Sequence, residues 1–263
     1  MKWKYLTILV CCIHFTGFSQ IKESRIGVNL GVTTGFYFPS NNEAQFYNGS
    51  PYSRAKLDDV LFSFSNYTII SEELQDDFTI YEYPLKMKYT PNLSIGGTLQ
   101  NYLSESLAIY TTISMVNLKA NGVYVLKLNS PSQGALIDEN AVNGTITGSE
   151  SRFNFDFGFH GLLQSKTKFI PFIEAAISGS ILQVKEHTVS IGTFTQSMQY
   201  SENLNTSKLF STVGYGLQLG TGIQFPVSNK FYVYSGITIS GIKYKLVESS
   251  MSLQKAIDIK FLF

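Results

Sequence analysis

Three ionisable side chains in the second half of the chain have the types and spacing that acid–base chemistry requires. Asp156 and His160 lie four residues apart in one alternating segment, and Glu174 lies in the alternating segment that follows. If both segments are β-strands, these positions share a face, because successive side chains of a strand point to opposite sides. A carboxylate beside a histidine can act as a general acid–base pair. The competing interpretation, which we favour, is an ion-pair and hydrogen-bond network inside a polar barrel lumen.

Other reactive arrangements are not indicated. Leu162 occupies the position two residues after His160, where a Ser–His pair of the membrane-lipase kind would need a serine. His187 stands alone in a polar stretch, and isolated histidines make poor metal sites. We therefore predict no enzyme activity, no cofactor and no metal, with Asp156, His160 and Glu174 as the only catalytic candidates.

The elements that would position these side chains are strands with two unlike faces. Such alternation is typical of outer-membrane barrels, which are apolar toward lipid and polar toward the lumen. The chain also stops on an aromatic residue in mid-strand, which predicts that this last strand pairs with the first one. The outward positions of the clearest segments are Phe153, Phe155, Phe157, Phe159, Val213, Tyr215, Leu217, Leu219, Ile257, Ile259, Phe261 and Phe263. In the segment IYEYPLKMKY the same alternation predicts Lys86 and Lys88 inside and Met87 and Tyr89 outside. Aromatic residues near strand ends are candidates for a girdle at the lipid headgroups: Tyr37, Tyr81, Tyr89, Phe225, Phe231 and Phe263.

The first nineteen residues read as a secretory signal peptide. Lys2 and Lys4 precede an apolar stretch that is too short to span a bilayer as a helix, and Gly17 and Ser19 fit a cleavage site before Gln20. Cys11 and Cys12 are the only cysteines and lie in this segment, so disulfide and thiol chemistry are excluded from the remaining chain. Lipoprotein processing at Cys11 stays open as an alternative. Residues 20–263 are predicted to form a single barrel domain.

Composition supports a surface that meets lipid. Aromatic residues make up 14% of the chain and charged residues only 15%, against about 25% charged in average proteins. Without the predicted signal peptide, 18 basic and 19 acidic residues remain, which gives no reason to expect nucleic acid as a partner. After the signal there is no apolar run long enough for a transmembrane helix.

The number of strands can be read in two ways. Counting each alternating run separately gives a closed antiparallel up-and-down transmembrane barrel of ten strands, the count that we favour because Pro91 and Asn92 interrupt the run from Phe78 to Leu103. A hairpin turn is also predicted at Asn121-Gly122, a dipeptide that favours such turns. Fusing the run from Phe78 to Leu103, and fusing Leu107–Leu128 across Asn121-Gly122, gives eight. In both counts the long polar connections fall at one end, and both mature termini lie on the periplasmic side. The long connections are Pro39–Asp77, Asn129–Gly148 and Val184–Ser207.

Several phrases resemble the small outer-membrane β-barrel proteins of Bacteroidota, including PorT-like and OmpX-like barrels. These are a signal ending GFSQ, the segment IYEYPLKMKY and the terminal IDIKFLF. The resemblance implies an eight-stranded fold, insertion by the barrel-assembly machinery with help from Phe263, and no cofactor.

Three functions remain open. The first, which we favour, is a non-enzymatic barrel embedded in the lipid of a Gram-negative outer membrane. Its long extracellular loops would bind an extracellular or secretion-system protein, a surface polymer or a small ligand. The second is a membrane-embedded hydrolase that uses the Asp156, His160 and Glu174 cluster. The third is a secreted soluble β-barrel or β-sandwich that binds a ligand.

Overall fold

The computed structural model describes residues 27–129, 140–165, 167–198, 210–228, 231–244 and 251–263. The predicted signal peptide, its cleavage site and Cys11 lie outside these ranges. The described strands are β1 (Gly27–Phe38), β2 (Phe78–Glu82), β3 (Lys88–Thr90), β4 (Asn92–Tyr102), β5 (Leu107–Leu128), β6 (Ala141–Leu162), β7 (Ile170–Ile191), β8 (Phe194–Ser197), β9 (Ser211–Ser228), β10 (Phe231–Tyr244) and β11 (Ser252–Leu262). The helices are α1 (Asn41–Ala44), a 3₁₀ turn (Gln45–Tyr47), α2 (Leu57–Leu61) and α3 (Phe64–Leu74).

The sheet closes on itself. Its strands follow the order β4-β1-β11-β10-β9-β7-β6, and an additional pairing of β6 with β5, which also pairs with β4, completes the ring. All these ladders are antiparallel, and the last strand pairs with the first through Thr33 and Lys260. The prediction of a closed antiparallel up-and-down barrel is confirmed, and so is the closure of the final strand against the first.

Within the described residues, the ring contains eight strands, which is the alternative count and corrects the preference for ten. The predicted turn at Asn121-Gly122 is absent, because β5 is one strand of 22 residues in which Asn121 pairs with Thr147. The strands β2, β3 and β4 follow one another along β5 as a single interrupted strand. Pro91 interrupts the ladder between β3 and β4 without reversing the chain.

The pairing register fixes the width of the barrel. The shear of the barrel is ten residues. If paired residues are followed around the ring from Tyr102, through His160, Glu174 and Thr238, the path returns to the strand of Tyr102 at Asn92, ten residues away. Eight strands with this stagger tilt by roughly 40° and place the backbone about 8 Å from the axis. Such a lumen has room for interior side chains but none for an open pore.

Large apolar side chains on the ring strands point outward and are exposed. Phe155 is 48% exposed, Leu217 63% and Ile259 40%, which rules out a β-sandwich that buries them in a common core. On β6 the apolar outward positions extend from Phe153 to Phe159, and Leu163 follows beyond the strand end. With the roughly 40° tilt, the span from Phe153 to Leu163 covers about 25 Å along the barrel axis. We call this exposed apolar surface the belt.

The connections differ between the two ends of the barrel. Short turns join β4 to β5, β6 to β7 and β9 to β10, at the end where Gly27 and Phe263 lie. All long connections lie at the opposite end, as predicted, but they contain more regular structure than expected. Residues 39–77 form helices rather than a loop, and residues 141–148 and 184–191 continue β6 and β7.

These additional elements form a folded cap on the barrel. The cap consists of β2, β3, β8, the helices and the ends of β5, β6 and β7 beyond the belt. Its interior is apolar, and its fully buried side chains include Tyr47, Leu57, Leu61, Tyr124, Leu126, Ile146 and Val189. Gly148 permits this packing, since a Cβ atom there would lie 2.2 Å from the ring of Tyr47.

Candidate functional site

Two of the three predicted catalytic residues meet in the lower lumen, near the short-turn end. His160 and Glu174 are register partners on β6 and β7, and Nδ1 of His160 lies 2.9 Å from Oε1 of Glu174. The ammonium of Lys260 on β11 donates to both oxygens of the same carboxylate at 2.7 and 2.8 Å. The imidazole is completely buried and packs against the rings of Phe172 and Tyr234.

Asp156, the third candidate, lies in another part of the lumen. It is the register partner of Ser178, whose hydroxyl donates to Oδ1 of Asp156 at 2.6 Å. The four-residue spacing from His160 corresponds to roughly 13 Å along the strand. The structure therefore separates the predicted trio into a His160–Glu174–Lys260 cluster and an Asp156–Ser178 pair, each of which has the contacts of an interior polar network.

Between these side chains and the cap lies a small polar cavity. Its volume is about 50 Å³, room for a few water molecules. Asp156, Asp258, Asn154 and Gln218 line it together with several hydroxyl side chains. On the short-turn side, Phe172, Tyr234 and Leu262 form a buried apolar cluster below it, and the hydroxyls of Tyr102 and Tyr234 lie 2.9 Å apart across the lumen.

A second ionic cluster closes the lumen where the barrel meets the cap. Arg152 is completely buried. Its Nη1 lies 2.7 Å from Oε2 of Glu43 in α1, and its Nε lies 2.6 Å from Oε1 of Glu150. The guanidinium also lies over the rings of Tyr89 and Tyr244. This arrangement fixes the first cap helix to the barrel wall through a charged contact that water does not reach.

Hydrogen bonds extend this cluster to three further strands and the 3₁₀ turn. Oε2 of Glu150 accepts from the hydroxyls of Tyr47 and Tyr89 at 2.6 and 2.9 Å. The amide of Gln254 on β11 donates to Glu43 at 3.1 Å and its oxygen accepts from the hydroxyl of Tyr37. Sequence reasoning missed this cluster, because Glu43 and Arg152 are far apart in the chain and neither belongs to a motif. A charged residue on the inward parity of a strand, as Arg152 is on β6, was the available signal.

His187 lies inside the cap, beyond the belt. Its Nε2 lies 3.2 Å from the carbonyl oxygen of Tyr47, and its ring meets the ring of Tyr47 edge-on. Burial lowers the pKa of His187 to about 4, with the contact to the Tyr47 carbonyl opposing that shift. A neutral, enclosed imidazole of this kind is a structural element of the cap.

The outer face of the interrupted strand next to β5 differs from the prediction. The alternation of IYEYPLKMKY predicted Lys86 and Lys88 inside and Met87 and Tyr89 outside. The structure has both lysines exposed and Met87 and Tyr89 buried. A register irregularity between Ile80 and Glu82 breaks the strict alternation on which the prediction relied.

An aromatic girdle was predicted from residues near strand ends. Phe231 and Phe263 stack on each other at 5.1 Å, and Phe169 and Phe225 meet edge-on at 5.1 Å, both on the outer surface near the short-turn end. Tyr81 is exposed on the cap, whereas Tyr37 and Tyr89 are buried in the second ionic cluster. The girdle prediction is therefore corrected for Tyr37 and Tyr89.

In the part of the chain that the structure describes, no group of three or more His, Cys, Asp or Glu side chains is arranged to hold a metal ion. None of the described helices has the length and apolarity needed to cross a membrane.

Comparison with known proteins gives a weak structural likeness and no sequence match. No protein-family model matches the chain, and no curated protein matches it significantly. Neisserial surface protein A superposes with a TM-score of 0.45 at 8% identity, covering 89% of this chain and 95% of that chain. The outer membrane protein OprG from Pseudomonas aeruginosa superposes with a TM-score of 0.41 at 8% identity, covering 90% of this chain and 96% of that chain. Ail of Yersinia pestis superposes with a TM-score of 0.35 at 7% identity, covering 90% of this chain and 100% of that chain. At this similarity no function is carried over to this chain.

Proposed function

We propose that this protein is a closed, non-enzymatic β-barrel of a Gram-negative outer membrane, whose folded cap faces the cell exterior and contacts a surface partner. The observation that carries the proposal is the belt. Exposed apolar side chains occupy all eight ring strands while the lumen between them is polar. In water this surface would be strongly unfavourable, because soluble monomers rarely expose contiguous apolar patches larger than a few hundred Å².

The height of the belt supports a membrane location. Its roughly 25 Å agrees with the apolar band of outer-membrane barrels. The closed ring leaves no unpaired strand edge at that level, as hydrocarbon requires. The aromatic pairs Phe231–Phe263 and Phe169–Phe225 lie at the short-turn end, where rings commonly sit at lipid headgroups.

The filled lumen supports a role other than transport or catalysis. The His160–Glu174–Lys260 cluster and the Arg152 cluster close the interior on both sides of a cavity of about 50 Å³. A steady large conductance is not expected of such a barrel. The cap is then the part of the molecule that remains available for recognition.

Orientation and assembly complete the proposal. Outer-membrane barrels carry short turns on the periplasmic side and long connections outside. By that rule both mature termini are periplasmic and the cap is extracellular. The barrel-assembly machinery is the partner that we propose for Phe263 during insertion, and the exposure of this residue at the end of the last strand supports that contact. An extracellular or secretion-system protein is the class of partner that we expect the cap to bind.

Cell fractionation tests this function. We expect the protein in the outer-membrane fraction, soluble only in detergent, with electrophoretic mobility that shifts when the sample is boiled. Protease added to intact cells should cut cap residues and spare the belt. Recovery in the soluble periplasmic fraction would contradict the proposal and favour the secreted soluble binding protein.

The hydrolase alternative has one favourable observation, the 2.9 Å contact of His160 with Glu174. Against it, the imidazole is completely buried and Lys260 shares the same carboxylate. His160→Ala should leave any lipase or protease activity of the refolded barrel unchanged. His160→Gln is the matched variant that retains hydrogen bonding. Activity that is present in the wild type and lost in both variants would overturn the non-enzymatic assignment.

A further inference from the structure

A small basic patch lies on the outer wall just beyond the belt. Lys88 on β3 is the register partner of Asn121, and Lys119 on β5 is the register partner of Thr90. The two lysines are therefore diagonal neighbours across adjacent strands, a relation that brings Cα atoms to about 7–8 Å. Both are exposed.

The described residues supply no counter-charge to this patch. Among the described residues neither ammonium takes part in an ion pair. The register partners of Lys119 are Thr90 and Ser149, and its neighbours on the same face are Asn117 and Asn121. Like charges directly opposite each other destabilise a sheet, and an anion bound between these two diagonally placed ammonium groups would offset their weaker repulsion.

The position of the patch relative to the belt indicates where that anion is. Met115 is the last outward residue of β5 within the belt, and Lys119 follows four residues later. At the strand tilt given above, this places the Cα of Lys119 about 10 Å beyond that of Met115. A lysine side chain there can reach down to the phosphate level of a surrounding bilayer, since the headgroup zone on each side is roughly 5–8 Å thick.

The wall around and above the patch is covered with short hydrogen-bonding side chains. On β6 Ser151, the residue of outward parity after Phe153, is buried, and the at least partly exposed outward residues beyond it are Ser149, Thr147, Thr145 and Asn143. Ser151 donates to Asn117 at 2.6 Å and Thr147 to Asn121 at 3.3 Å, so rows of hydroxyl and amide groups cross the strands. From Ser149 to Asn143 the accessible part of these rows extends for about 15 Å along the axis. That is taller than a phospholipid headgroup and suits a headgroup built from sugars.

We infer that the outer wall around Lys88 and Lys119 binds the phosphorylated sugar headgroup of an outer-leaflet glycolipid. The lysines hold its phosphates, and the Ser, Thr and Asn rows hydrogen-bond to its sugar hydroxyls. The inference rests on the proposed outer-membrane location with the cap outside. It adds to that proposal a specific lipid class and a specific sector of the barrel, β3, β5 and β6.

The test compares refolded protein in detergent micelles with three additives: lipopolysaccharide, the same lipopolysaccharide after removal of its phosphates, and phosphatidylglycerol. Boiling-dependent mobility confirms the folded barrel in every sample. The wild type should bind lipopolysaccharide in preference to the other two. In Lys88→Gln/Lys119→Gln the dissociation constant for lipopolysaccharide should rise about thirtyfold, since each lysine at a membrane surface contributes about a factor of five.

Lys127→Gln is the matched control. Lys127 is also exposed and outward on β5, but eight residues farther from the belt than Lys119, about 20 Å along the axis. The Lys127→Gln variant should bind lipopolysaccharide with the same dissociation constant as the wild type. Inorganic phosphate at millimolar concentration should not compete, because it lacks the sugar contacts.

Several results would overturn the inference while leaving the barrel proposal intact. These are equal binding of intact and dephosphorylated lipopolysaccharide, equal binding of phosphatidylglycerol, competition by free phosphate, and an unchanged dissociation constant in the double variant. A sample that never shows boiling-dependent mobility and never partitions into detergent would instead contradict the proposed function itself.

Discussion

The strands β5, β6 and β7 pass through two regions of the molecule that have opposite polarity. In the belt, outward residues such as Ile113 and Phe155 are apolar, and their inward neighbours Thr112 and Asn154 are polar. In the cap, outward residues such as Thr147 are polar, and inward residues such as Leu126 are apolar and buried.

This inversion follows from a change of surroundings rather than of backbone geometry. On β5 the outward parity is unchanged from Leu107 to Lys127. What changes is the filling inside, which is a polar lumen in the belt and an apolar core in the cap, and, in the proposed membrane location, the medium outside, which is hydrocarbon around the belt and water around the cap. Arg152, Glu150 and Glu43 lie at the junction. One strand can therefore serve a membrane barrel and a globular core in succession.

The largest effect on this comparison should come from the junction itself. Arg152→Ala leaves Glu43 and Glu150 buried without their cation, and breaking a buried ion pair costs about 3–5 kcal/mol. Urea unfolding of the refolded protein should show that loss, with Lys127→Ala as an unaffected control. A loss below about 1 kcal/mol would mean that the cap and the barrel are not tied together through this cluster.

The apolar core of the cap is tested next. Leu126→Ala removes a fully buried side chain and should destabilise the cap by about 2–5 kcal/mol. Val125→Ala, the adjacent outward and only half-buried position, is the matched comparison and should cost much less. Hydrogen exchange at residues 119–128 should accelerate in Leu126→Ala, while exchange in β10 and β11 stays slow. Uniform acceleration would show that the cap and the barrel unfold as one unit.

A charge placed on the same face of β6 should distinguish the two regions. Phe157→Lys puts an ammonium in the middle of the belt, at a cost of about 2–4 kcal/mol in lipid. Thr145→Lys introduces the same charge on the cap, and its free energy of unfolding should stay within about 0.5 kcal/mol of the wild-type value. Unfolding in phospholipid vesicles measures both. Similar values for the two variants would contradict the assignment of different surroundings.

The smallest expected effect is a pH dependence confined to the cap. The folded-state pKa of His187 is about 4, below the ordinary value of 6.5, so only the unfolded cap takes up a proton as the pH falls from 6.5 to 4. Stability is therefore full above pH 6.5 and declines below it, by about 2 kcal/mol at pH 5. Protease susceptibility of the cap at pH 7.5 and 5 measures this. His187→Gln, which can still donate to the Tyr47 carbonyl, should lose the dependence, and an unaltered dependence would exclude His187 as its source.

The belt could be predicted from the sequence because each of its strands has one constant pattern. The alternation of Phe153 to Phe159, and of Val213 to Ile223, identifies strands and faces, and it places His160 and Glu174 on the inward face of consecutive strands, where the structure pairs them. On β5 the polarity of the two faces inverts beyond Met115, and the Asn121-Gly122 dipeptide, which favours a hairpin turn, lies inside the continuing strand. Alternation alone reports a difference between two faces, not which medium each of them meets.

The cap and the junction could not be predicted for different reasons. The helices within residues 41–74 are short or only weakly amphipathic, and they form because the inner faces of β5, β6 and β7 offer an apolar surface. The contact between Glu43 and Arg152 joins residues that only the closed barrel brings together. The outward position of Lys88 depends on the register irregularity between Ile80 and Glu82, and no residue type in this segment indicates that irregularity.

The central claim is that the outer wall of β6 meets lipid at Phe157 and water at Thr145. The only tryptophan of the sequence is Trp3, so a refolded chain that begins at Gln20 has none, and a single introduced tryptophan reports one site. Phe157→Trp and Thr145→Trp should be examined in vesicles whose acyl chains carry bromine at mid-chain. Strong quenching of the first tryptophan and little quenching of the second is the predicted result. Equal quenching, or quenching of neither, would contradict the account.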